Sequence, residues 1–240
     1  MVLMSTLLNN IKELVNQYVY TKEETRENFD YFIEHNVRYI NGQFMVNENM
    51  YLYYDDGSSD KSANYSFVLN NMNATLTYDN TNQYYIFAAQ QSSANGSLLK
   101  LGEIDVQNCE ISIDFLWHSG SASSGGYNAT MKLSDSTYSF NNSTYIGTWS
   151  NNKVVGTVVD GTDYRQKPSN RLDMNTWYTF KAIINDDEIT SQIILRDSDT
   201  IIASATTPMM NVNKIGIYTE IDYVASTNYF TNFKVKRSDN

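Results

Sequence analysis

The sequence predicts a mainly β protein: an antiparallel β-sandwich preceded by a short N-terminal helical, coiled-coil-like segment. Three observations predict it. From Gln43 to Lys236 the chain is a series of short runs rich in Tyr, Ile, Val, Thr and Phe, residues that fit a pleated, half-buried surface. The runs are broken by Asn, Asp, Gly and Ser, the chemistry of tight turns. Ahead of them, Met4, Leu7, Ile11, Leu14 and Tyr18 recur at alternating spacings of three and four, the seam of a coiled coil. The change of character near Asn41 divides the chain into an N-terminal helical segment, residues 1–40, and a β head, residues 41–240.

The N-terminal seam is too short to be stable alone in water. Thr21 followed by Glu24 matches a capping box, so a second helix is expected to start near Lys22, with Phe29, Ile33, Val37 and Ile40 along one face. Three fates are open to the pair. They fold back on the head as a helical hairpin, self-associate as a parallel bundle with the trimer favoured, or dock on another protein. In the head, strands are expected at Gln43–Tyr54, Tyr65–Leu69, Ala74–Tyr78, Gln83–Ala89 and Glu110–Phe115. From Asn175 to Ala205, Trp177, Thr179, Lys181 and Ile183 alternate with Tyr178, Phe180, Ala182 and Ile184, and turns at Asn185–Asp187 and Asp197–Asp199 make a three-stranded meander. Lys214–Thr219 and Tyr229–Lys236 close the set.

Composition narrows the function. With 240 residues, 41% of them apolar, the chain is long enough for one sandwich with its own core. A net charge of −10 with 17 Lys and Arg argues against a duplex nucleic acid as partner, which demands clustered cations. Cys109 is the only cysteine and His35 and His118 the only histidines, so neither a disulfide nor a Cys- or His-based metal centre is expected. The opening MVLMSTLLNNIKEL does not read as a secretory signal, and no apolar run is long enough to cross a bilayer. Synthesis in a cytoplasm is expected, with release by another route if the protein works outside a cell.

From Cys109 to Arg237, the order of "WY", alternating strand, acidic turn, strand, Asp-containing turn and strand, then KIGIYTE and NYFTNFKVKR, resembles the second half of concanavalin A-like lectin/glucanase sandwiches, laminin G-like modules included. The resemblance implies an antiparallel jelly-roll of two packed sheets. Glycosidases of that superfamily place Glu, Asp and Glu at alternate positions of one strand. Glu103 and Asp105 stand in that relation, but Gln107 occupies the position of the proton-donating acid, and an amide cannot perform that step. The head is therefore expected to be non-catalytic, with Gly102 read as a turn leading toward the strand at Glu110.

Many members of the superfamily bind calcium, and Asp55, Asp56 and Asp60 offer hard oxygen ligands of the kind calcium accepts. The same letters make an ordinary Asp-Gly turn, which is the preferred reading, as it is for Asp160–Asp163; no cofactor is expected. For a sugar, the useful groups are flat aromatic rings beside hydrogen-bonding side chains. Tyr145, Trp149, Asp163, Tyr164 and Arg165 form a dense stretch of these, and Trp117 precedes a Gly- and Ser-rich run. Against this, tryptophans of sandwiches are often core residues, the fate expected for Trp177. The leading expectation is a virion surface attachment protein whose lectin-like head binds host surface glycans, with the N-terminal helices contacting one another or other virion proteins. A purely structural virion component, a capsid decoration or baseplate part, and a glycan-processing enzyme are the alternatives.

Overall fold

The computed structural model describes residues 37–40, 43–46, 51–91, 96–106, 108–120, 127–135 and 140–237. The chain divides into two compact units, residues 1–51 and 52–240. In the first, β1 (Val37–Ile40) and β2 (Gln43–Val46) form an antiparallel pair in which Val37 stands opposite Val46 and Ile40 opposite Gln43. Val37 and Ile40 were expected on a helix and belong to a strand. The run Val-Arg-Tyr-Ile is rich in β-branched and aromatic residues, which favour a pleated partner over a helical turn. The heptad seam from Met4 to Tyr18 and the start of the second helix lie outside the described residues.

The second unit is a sandwich. In chain order its strands are β3 (Tyr51–Asp55), β4 (Ser66–Asn70), β5 (Thr75–Asp79), β6 (Tyr84–Ala88), β7 (Ser97–Asp105), β8 (Cys109–Gly120), β9 (Tyr127–Ser134), β10 (Ser143–Trp149), β11 (Asn152–Val159), β12 (Thr162–Asp163), β13 (Trp177–Ile184), β14 (Glu188–Leu195), β15 (Thr200–Pro208), β16 (Lys214–Ile221) and β17 (Ser226–Arg237). One sheet of seven strands runs β12-β11-β10-β9-β16-β7-β4. The other, of eight, runs β15-β14-β13-β8-β17-β6-β5, with β3 also paired to β17. The expected strand Gln43–Tyr54 is two strands, β2 and β3, which belong to different pairings.

Alternation decides which side chains meet between the sheets. On β8 the odd positions Cys109, Ile111, Ile113, Phe115 and Trp117 are buried, and on β13 the even positions Tyr178, Phe180, Ala182 and Ile184. They meet Phe230, Phe233 and Val235 of β17 and Leu99, Met131, Leu133, Ile215 and Ile217 of the facing sheet in one continuous core. Phe115 stacks on Phe180 at 5.2 Å and lies 6.5 Å from Phe230, and each such fully buried ring contributes on the order of 2–3 kcal/mol.

Three expectations about individual residues are corrected by this alternation. Trp177 shares the outward parity of Thr179 and Lys181 and is only half-buried. Trp117, a candidate sugar contact, is 1% exposed and donates its indole N–H to Ser119 O at 3.0 Å. Gly102 is no turn: it lies inside β7, which carries Glu103 and Asp105 to its end. A Cβ at Gly102 would stand 3.0 Å from the Tyr53 ring, so glycine lets Tyr53 lie over the strand and bond its hydroxyl to Glu103 N and O.

Candidate functional site on the seven-stranded sheet

The outer face of the seven-stranded sheet is built from residues of the opposite parity. Register places Tyr145 of β10 opposite Lys132 of β9, Lys132 opposite Tyr218 of β16, and Tyr218 opposite Lys100 of β7. A row of alternating aromatic and cationic side chains crosses the sheet. Tyr218 lies along its own strand over Gly216, where a Cβ would stand 2.1 Å from the hydroxyl. The Lys132 ammonium is 5.0 Å from the Tyr145 ring centre, the attraction expected between a cation and a ring face.

At one end of this row the chain turns after β12 and continues along the edge of β11. Tyr164 N donates to Thr157 O, and Gln166 pairs with Val155 through bonds of 2.8 and 3.1 Å. That course sets Arg165 over the sheet. Its Nε and Nη2 donate to the two oxygens of Asp163 at 2.8 and 2.9 Å, and its Nη1 donates to the Tyr127 hydroxyl at 2.7 Å. The guanidinium lies 5.0 Å from the rings of Tyr145 and Phe140 and 5.8 Å from Trp149. Tyr127 and Tyr145 stack at 4.9 Å beneath it. Two parallel bonds to one carboxylate fix both partners in direction as well as distance.

The electrostatics follow. The paired Arg165 donors hold the Asp163 carboxyl well below the usual carboxylate range, against a smaller opposing effect of burial. Burial pushes the Tyr127 hydroxyl up to about 12, with the Arg165 charge working the other way. Deeper in, Lys132 and Glu220 are each 3% exposed and Asp222 9%. Burial draws the Lys132 pKa down, partly offset by the charges of Glu220 and Asp222. Burial first, and the Glu220 charge second, push the Asp222 carboxyl up to about 7.

The structure thus brings Tyr145, Trp149, Asp163 and Arg165 together, but not as equals. Tyr145 is 1% exposed and forms the floor, whereas Trp149 is half-buried at the rim with the Lys167 ammonium 4.4 Å from its ring centre. Lys167 also bonds Asp163 at 3.2 Å. Tyr164 is exposed, on the parity opposite to Asp163 and Arg165. Sequence reasoning missed Tyr127, Lys132, Phe140, Lys167, Glu220 and Asp222. One local signal pointed to them: a lysine between Met131 and Leu133 in the middle of a strand has to face a polar surface or a partner.

The residues proposed for calcium are engaged separately. Asp55 accepts from Tyr65 Oη, Tyr85 Oη and Gly57 N; Asp56 accepts from Ser58 N and Oγ; Asp60 accepts from Ser62 N. Among the described residues no group of three or more His, Cys, Asp or Glu stands where it could hold a metal ion. Glu103 is bound to Lys100 at 2.8 Å and to Lys214 at 3.5 Å, and it lines a cleft of about 370 Å³ with Asp105, Tyr53 and Arg237. Gln107 lies outside the described residues.

No family model matches the chain, and no curated protein matches its sequence. Solved structures do match its fold. The winged bean acidic lectin, solved with methyl-α-D-galactose, is 7% identical, with 75% of this chain and 98% of that chain covered and a TM-score of 0.50. An immunostimulatory antigen and pseudo β-1,3-glucanase of Mycobacterium tuberculosis is 12% identical over 79% of this chain and 99% of that one, with a TM-score of 0.52. A functionally unknown protein of Saccharomyces cerevisiae is 7% identical over 75% and 100%, with a TM-score of 0.56. The second unit has the concanavalin A-like lectin/glucanase fold, a jelly-roll of two antiparallel sheets.

Proposed function

We propose that the sandwich is a non-catalytic glycan-binding module and that the rim of the Arg165 cluster is its sugar contact. The observation that carries this is Trp149: a half-buried ring at the edge of a sheet face, flanked by Lys167 at 4.4 Å and by an Arg165–Asp163 pair held in a single geometry. A sugar presents C–H groups on its faces and hydroxyls at its edge, so a ring beside oriented donors and acceptors suits it. Lectins among the solved structures of this fold support the same reading. Glucanase-type hydrolysis is disfavoured because Glu103 is tied to two lysines, which hold its carboxyl below the usual range, chiefly through the Lys100 hydrogen bond.

We further infer the setting. A heptad-patterned N-terminus ahead of a binding head supports a virion surface attachment protein that binds host surface glycans, its heads gathered as a trimer so that weak single sites combine. In the alternative, a structural virion component, the same aromatics would serve protein contacts. Trp149→Ala decides on the site. It is expected to fold with a somewhat lower melting temperature, because Trp149 packs on the Arg165 cluster, and to lose about tenfold in affinity for cell-surface polysaccharide in affinity electrophoresis. Unchanged affinity in the folded variant would sink the assignment.

A further inference from the structure

The outer face of the eight-stranded sheet carries a second aromatic surface, and we propose that it is a separate binding site for a neutral glycan strand. Register puts Ile86, Tyr229, Leu116 and Trp177, from four neighbouring strands, in one row. Tyr84 stacks on Tyr229 at 4.6 Å and 12°, His118 stacks on Tyr229 at 4.7 Å and 19°, and Tyr84 meets Trp177 at 6.0 Å. These side chains are half-buried or exposed except Leu116, which fills the space between them. The Arg196 guanidinium lies 4.7 Å from the Trp177 ring centre.

The polar groups around this ledge are held in place yet not used up. Arg196 approaches Asp114 and Asp197 only at 3.7 and 3.8 Å, distances too long for a direct hydrogen bond. Asp114 is already committed, accepting from Thr179 Oγ1 and Asn232 Nδ2 at 2.7 Å each. Among the described residues neither the Arg196 guanidinium nor the Trp177 indole N–H makes a hydrogen bond, so unused donors stand beside a ring. Asn175 is held by His118 Nδ1 at 2.8 Å, and Asp79 accepts from Asn82 Nδ2 at 2.9 Å.

Three properties select the occupant. The rim carries Arg196 beside Asp79, Asp114 and Asp197, so it gives a polyanion no net attraction, and its mixed donors and acceptors match the hydroxyls of a neutral ligand. The chain's net charge of −10 further disfavours nucleic acid. The aromatic row spans four strands, about 15 Å, and Thr179, Lys181 and Ser112 make the neighbouring positions polar. A single aromatic row bordered by polar positions suits a short oligosaccharide better than a stable protein interface, which needs roughly 800 Å² per partner. The proposal goes beyond the Trp149 site and stands or falls separately from it.

The three tryptophans allow the test to be read site by site, because Trp117 is in the core, Trp149 at the rim of one sheet and Trp177 on the ledge of the other. The full chain is labelled with fluorotryptophan, its three fluorine resonances are assigned by Trp→Phe substitutions, and cellohexaose, laminarihexaose, mannohexaose and xylohexaose are titrated in turn. The expected result is a saturable shift of the Trp177 resonance with at least one of them and a static Trp117 resonance. Arg196→Ala or Tyr84→Ala is expected to weaken that shift about tenfold. The proposal is overturned if no hexasaccharide moves Trp177 while Trp117 keeps its native position. It is equally overturned if both variants bind unchanged. A shift of Trp149 alone supports the rim site and sinks the ledge, and a shift of Trp177 alone does the reverse.

Discussion

Of the arginines that lie against a tryptophan, Arg165 and Arg196, one over each sheet, are built in opposite ways. Arg165 spends its donors on Asp163 and Tyr127 and packs among three rings, with its side chain 5% exposed. Arg196 lies over Trp177 with a side chain 37% exposed and only long-range approaches to carboxylates. The first arrangement clasps the edge of a sheet to its face. The second holds a cation in place without satisfying it. The two contacts therefore offer a ligand different things: beside Trp149 the buried arginine fixes the surroundings and the exposed Lys167 and Asp163 are left to meet hydroxyls, whereas beside Trp177 the arginine itself has donors to offer.

Substitutions can break this contrast. The largest effect is expected from Arg165→Ala, which leaves Asp163 without its bidentate partner and opens the space over Tyr145. Urea denaturation should show a loss of about 2–3 kcal/mol, and a loss under about 0.5 kcal/mol would mean that Arg165 is not a clasp.

Next comes a pH effect on the same side, where Asp222 N donates to Tyr127 O at 2.7 Å. The Asp222 carboxyl titrates near 7 in the folded chain and near about 4 when unfolded. The folded state binds the extra proton in between, so the contribution of Asp222 to stability is fully present below pH about 4 and declines as pH rises toward about 7. Melting temperatures of the parent and Asp222→Asn should converge at acidic pH and separate at alkaline pH, with the variant higher; parallel curves would exclude the raised carboxyl.

Tyr127→Phe removes one hydrogen bond to a charged group and should cost about 1.5 kcal/mol, whereas equal stability would show that stacking alone holds Arg165. The smallest effect sharpens the comparison from the other side. Arg196→Ala should change stability by no more than about 0.5 kcal/mol, and a larger loss would make the ledge a structural clasp as well.

The fates of the tryptophans were legible in the chain, although the first expectations about two of them were wrong. On β8, Ile111, Ile113 and Phe115 alternate with Glu110, Ser112 and Asp114, and carrying that period forward puts Trp117 inside. On β13, Lys181 shares the parity of Trp177, and a lysine points to solvent far more cheaply than into a core. The meander of β13, β14 and β15 could likewise be read from period and turn letters, because it is formed by sequence neighbours. The Arg165 cluster could not be read in full. Tyr127, Tyr145 and Arg165 come from β9, β10 and the segment after β12, and their meeting depends on strand register across the sheet, which no local pattern states. The division of Gln43–Tyr54 into two strands was hidden for a similar reason: β2 and β3 have similar letters and differ in their pairing partners.

The place of β17 in the eight-stranded sheet bears on how the protein is made. This strand, Ser226–Arg237, lies between β8 and β6 and also carries β3. A ribosome releases β3, β6 and β8 long before it releases the strand that joins them. Until it emerges, their backbone edges lack their native neighbour, the condition in which nascent β chains pair wrongly or meet chaperones. Closure of this sheet therefore waits for residues 226–237, and a stall before residue 226 leaves β3, β6 and β8 without the strand that joins them.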